Sequence, residues 1–120
     1  MDKKKLLKEA ESMVSFTQRK QYSNFFDHIL NLIEIAENSS EDETERKQKF
    51  LKLLSLLKDD KNISILGGGK QVKQGLKDFI ENHIMVRKYS DYQIANPRLQ
   101  NLSLTELKYV FGWARRLAGK

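Results

Sequence analysis

The single proline of this chain, Pro97, leaves the first ninety-six residues free of the one side chain that cannot sit inside a helix. Over most of that stretch apolar residues recur every three or four positions, the spacing that gathers them on one helical face. Leu6, Leu7, Ala10, Met13, Val14 and Thr17 predict a helix over residues 3–20. Lys3, Lys4, Lys5 and Lys8 crowd its first turn, where cations oppose the helix dipole, so the extreme N-terminus is expected to fray. In residues 23–37, Phe25, Phe26, Ile29, Leu30, Leu32, Ile33, Ile35 and Ala36 cover most of the circumference, as in a helix packed on several sides. Ser40 with Glu43 then reads as a capping box opening a helix over 41–58 that carries Phe50, Leu51, Leu53, Leu54, Leu56 and Leu57. These two helices predict an antiparallel hairpin at the centre of the fold.

Residues 61–69 (KNISILGGG) hold the apolar residues of a short strand, but with no second β-rich segment to pair with they read as a hydrophobic loop. A fourth helix follows over 70–87. At about 100° per residue, Val72, Leu76, Phe79 and Ile80 share one arc and Lys70, Lys73 and Lys77 form a stripe beside it. Residues 88–102 read as irregular, displaying Tyr89, Tyr92 and Arg98. The last helix, 104–118, opens with a Ser103–Glu106 capping box and closes on Gly119. Its inner face holds Leu104, Leu107, Val110, Phe111, Ala114, Leu117 and Ala118, and its outer face Lys108, Tyr109, Gly112, Trp113, Arg115 and Arg116. The expected fold is all-α, a single domain over 1–120 built as a bundle of about five helices.

The chain has 120 residues, 39% of them hydrophobic, enough to bury a core without disulfides or a structural metal. It has no cysteine, which removes thiolate metal sites and cysteine nucleophiles along with disulfides. No apolar run approaches the ~20 residues that span a bilayer, and the opening MDKKKLLKEAES lacks the apolar stretch of a signal peptide. A cytoplasmic protein with no membrane contact is expected.

Charge is divided unevenly. Residues 1–60 hold 11 basic and 12 acidic side chains, whereas residues 61–120 hold 11 basic and 4 acidic, so the net +6 arises wholly in the second half. Clustered cations raise the local potential and release counterions from phosphates, which points to a polyanionic partner. Lysine also serves simply to solubilise a surface, and it outnumbers arginine 16 to 6.

Enzymatic constellations are weak. His28 and His83 have no second ligand at helical spacing, and His83 falls on the apolar arc of its helix as a core histidine does. Gly67-Gly68-Gly69-Lys70 ahead of a helix resembles an anion-binding loop. It fails the nucleotide-loop pattern, because Gln71 stands where a magnesium-binding Ser or Thr is required. No catalytic residue, metal, cofactor or small-molecule substrate is expected.

The outer face of the last helix combines cations with aromatic rings, the pairing by which proteins hold single-stranded nucleic acid. The same composition suits a protein interface, and burial of the two rings within the fold is the third explanation. The leading expectation is a small basic, non-enzymatic subunit that contacts RNA or single-stranded DNA within a larger assembly. Its candidate residues are Lys70, Lys73, Lys77, Arg87, Lys88, Lys108, Tyr109, Trp113, Arg115 and Arg116. The alternative is a protein-interaction or homo-oligomerisation module using the same aromatic face, without nucleic-acid binding.

Overall fold

The computed structural model describes residues 2–17, 23–57 and 70–118, with the side chains at 23, 24 and 70–73 excepted. Its elements in chain order are α1 (Lys3–Thr17), α2 (Ser23–Glu37), α3 (Glu43–Leu57), α4 (Lys70–Asp78) continued by one wider π-helical stretch (Phe79–Ile84), β1 (Val86–Lys88), β2 (Tyr92–Ile94) and α5 (Leu104–Ala118). Among the described residues five helices account for most of the structure, as the all-α expectation requires. The predicted loop at 61–69 and the closing Gly119 lie outside the described residues.

The helix starts follow local chemistry. At α1 the carboxylate of Asp2 accepts the Lys5 N–H at 3.2 Å, so an acid ahead of the lysine run offsets the expected fraying. At α3 the cap is Asp42, whose Oδ1 accepts the Glu45 N–H at 3.0 Å. Ser40, predicted as the cap, lies outside the helix: its Oγ accepts the Asp42 N–H and donates to Glu45 Oε2. The predicted box at α5 is present in both directions, Ser103 N–H to Glu106 Oε1 at 3.0 Å and Glu106 N–H to Ser103 Oγ at 3.1 Å.

Five buried phenylalanines (Phe25, Phe26, Phe50, Phe79, Phe111) anchor one core to which every helix and the hairpin contribute. Phe26 meets Phe79 edge-on at 5.7 Å, joining α2 to the end of α4, and Phe50 meets Phe111 at 6.1 Å, joining α3 to α5. α5 packs against α1, α2 and α3, so the last helix, more than the α2–α3 hairpin, is the central strut. The radius of gyration, 13.4 Å, matches the ~13.6 Å of one compact unit of this length.

The fourth helix departs from its predicted course. Regular α-helix ends at Asp78, and the Met85 N–H bonds back five residues to the Ile80 carbonyl at 2.9 Å. Met85 adopts a left-handed conformation (φ 61°), uncommon for a residue with a side chain, and turns the chain into β1. Residues 86 and 87 are therefore strand where helix was expected, and 88 and 92–94 strand where no regular structure was expected. Val86 pairs with Ile94, Arg87 with Gln93 and Lys88 with Tyr92, antiparallel. The hairpin persists because Val86 and Ile94 are buried and it packs on α3.

Candidate functional site

α5 turns Leu104, Leu107, Val110, Phe111, Ala114 and Ala118 into the core. Just over two helical turns of the opposite side, through Lys108, Tyr109, Gly112, Trp113 and Arg116, line a cleft of about 270 Å³. Tyr109 and Trp113 stand one turn apart, ring centroids 6.5 Å from each other and planes inclined at 58°. Both rings are half-buried and packed against the core, which fixes their bodies while part of each stays in solvent. The Arg116 guanidinium lies 5.2 Å from the indole centroid, within cation–π range.

Gly112 occupies the floor between these side chains. A methyl group built there meets no atom within 4 Å apart from its chain neighbours Phe111 and Trp113 and its own helix backbone, so no other part of the fold demands a glycine. Glycine in a helix interior costs about 1 kcal/mol against alanine. The space it leaves belongs to the cleft.

Two of the cations expected on this face are engaged elsewhere. Lys108 Nζ pairs with Glu37 Oε1 at 3.0 Å, and the Arg115 guanidinium pairs with Asp27. Both carboxylates are on α2, which runs antiparallel to α5. The two pairs flank a groove of about 430 Å³ between the helices, which Asn31 and Glu34 also line. Arg115 therefore belongs to the α2 side and not to the aromatic cleft.

The remaining candidates fall elsewhere. Arg87 turns back to donate to the carbonyls of Val86 and Glu81, both at 3.0 Å. Lys77 is half-buried in the last turn of α4, and the side chains of Lys70 and Lys73 lie outside the described residues. Lys88 sits over the Tyr92 ring, 5.4 Å from its centroid. It faces a groove of about 550 Å³ between the hairpin and α3, to which α3 adds Lys49 and Lys52. Those two lysines carry no sequence signal as ligands. They follow the i, i+3 spacing of any solvated helix face, and only the hairpin brings Lys88 opposite them.

His83 is 6% exposed, stacked on Phe79 with centroids 5.3 Å apart and planes 10° apart, as its place on the apolar arc implied. Burial, and then the nearby Arg98 charge, push its pKa down to about 4. Its Nε2 and the Oε2 of Glu9 are buried without a hydrogen-bond partner. Among the described residues no three His, Cys, Asp or Glu side chains are grouped to hold a metal ion, and no helix is long and apolar enough to cross a membrane.

No family model, curated protein or solved structure matches the chain.

Proposed function

We propose that the protein is a small non-enzymatic subunit, cytoplasmic and part of a larger assembly, that binds single-stranded RNA or DNA through the α5 cleft. The observation that carries this reading is the unfilled position of Gly112 between Tyr109, Trp113 and Arg116. A flat base entering there gains the exposed parts of two aromatic rings, with the Arg116 guanidinium beside it. Stacking of this kind is worth about 1–3 kcal/mol per base and tolerates any sequence. The net charge of +6 supplies the long-range attraction.

Fluorescence anisotropy of a labelled 12-nucleotide single strand at low and high salt tests the reading. Binding that weakens steeply with salt and is reduced roughly tenfold or more by Trp113→Ala is expected, a tenfold change being about 1.4 kcal/mol. Undetectable binding at low salt would end it.

A second reading has its own support. The Lys108–Glu37 and Arg115–Asp27 pairs neutralise two cations beside the cleft, leaving a Trp–Tyr–Arg cluster of the composition found at protein hot spots. In that case light scattering finds a concentration-dependent dimer that Trp113→Ala abolishes, with no affinity for oligonucleotides.

A further inference from the structure

We infer that the groove between α3 and the β-hairpin is a second binding surface, one that holds the sugar-phosphate backbone of a single strand. It rests on the reading of α5 as a base-binding helix and is a second contact for the same class of ligand.

Much of the positive charge is already matched by carboxylates. On α5, Lys108 and Arg115 are each matched to a carboxylate, and Arg98 lies 3.5 Å from Glu9. Lys49, Lys52 and Lys88 have no such match: among the described residues none of the three forms an ion pair. All three line the same groove of about 550 Å³ and all are exposed. The acids that share it are Glu45 and Asp91. Glu45 accepts the Ser40 hydroxyl at 2.6 Å, at the start of α3, and is thereby held on its own side of the groove. Three ammonium groups against two carboxylates, one of them turned toward Ser40, leave the groove with a net charge of +1.

The groove is also a fixed shape. The Gln48 side-chain amide donates to the Tyr92 carbonyl at 2.7 Å and accepts the Tyr92 N–H at 3.0 Å, fastening one wall to the other. Lys88 rests over the Tyr92 ring, which limits the rotamer freedom it loses on meeting an anion. Lysine presents a rotatable point charge without the planar fork of arginine. Such charges suit a phosphodiester chain, where spacing along the strand matters more than bidentate geometry. A positive groove that tracks the backbone, set apart from rings that stack on bases, is the usual division of labour in single-strand binding.

An abasic deoxyribose-phosphate dodecamer, which has phosphates but nothing to stack, is the probe for this groove. Titrated at low salt into the ¹⁵N-labelled full chain, it is expected to shift the backbone amides of Gln48, Lys49, Lys52 and Tyr92 and to leave the Trp113 indole N–H in place. The triple variant Lys49→Gln, Lys52→Gln, Lys88→Gln is expected to lose those shifts with its thermal melt unchanged. For the base-bearing strand, it should reduce the slope of log K against log salt by about 2, at ~0.7 per phosphate contact. An abasic strand that moves none of these amides, or that binds the triple variant as well as the native chain, would overturn the inference. So would poly-glutamate shifting the same amides more strongly than the abasic strand, since the groove would then take an acidic protein segment. The α5 reading fails separately, if the base-bearing strand leaves the Trp113 indole unmoved.

Discussion

The side-chain amide of Gln48 holds both backbone groups of Tyr92, donating to its carbonyl at 2.7 Å and accepting its N–H at 3.0 Å. A helix side chain thus completes the pairing that a third strand would otherwise supply to the hairpin. Gln48→Ala leaves two backbone groups of a half-buried residue without these partners. It is expected to destabilise the protein by about 1–3 kcal/mol in urea denaturation. Gln48→Glu keeps an acceptor but loses the donor, and should fall between the two.

Gly112→Ala separates stability from binding. Nothing within 4 Å opposes the added methyl group, so removing a helix-interior glycine should raise stability by about 0.5–1 kcal/mol. The same methyl group intrudes on the floor of the α5 cleft and should weaken oligonucleotide binding. Denaturation and anisotropy on the one variant check both directions. A variant more stable and equally tight would mean that the cleft is not where the base sits.

His83 makes the fold sensitive to acid. Buried against Phe79 and Phe16 and close to Arg98, its imidazole titrates at about 4 in the folded chain and near 6.5 when exposed. The unfolded state therefore takes up the proton first as pH falls. Stability is fully present above about pH 6.5 and declines toward pH 4, by roughly 3 kcal/mol at most. His83→Phe keeps the ring stack and should flatten the unfolding free energy over that interval relative to the native chain. An unchanged slope would assign the acid sensitivity to the carboxylates instead.

The Ser103–Glu106 box fixes the start of the helix that bears the cleft. Hydrogen bonds from Ser103, chiefly its backbone N–H, hold the Glu106 carboxyl below its ordinary range. Its contribution is therefore present above the unfolded pKa and is lost as pH falls through the lowered one. Ser103→Ala should cost about 1 kcal/mol, a fall in Tm of roughly 3–5 °C by calorimetry, with the cleft at Tyr109 and Trp113 intact.

What the sequence disclosed was whatever local chemistry decides. The apolar spacing of α1, α2, α3 and α5 and the Ser103–Glu106 pair needed no tertiary information. The hairpin was hidden because Val86-Arg87-Lys88 and Tyr92-Gln93-Ile94 are too short to persist alone; they depend on burial against α3 and on a glutamine 44 positions away. The π-helical stretch was hidden because Phe79, Ile80, His83 and Ile84 also satisfy an α-helical pattern, and Met85 announces no left-handed turn. In the site, the one-turn spacing of Tyr109 and Trp113 was readable from the helix period. The capture of Lys108 by Glu37 and Arg115 by Asp27 was not, since it depends on how α2 lies against α5.

Trp113 is the only tryptophan in the chain, so its emission reports on the α5 cleft alone. Titration of the native protein with an unlabelled single strand at low salt should quench and shift that emission saturably, and added salt should reverse the change. Emission that stays constant while the strand demonstrably binds would contradict the account, because the bases would then lie away from the indole.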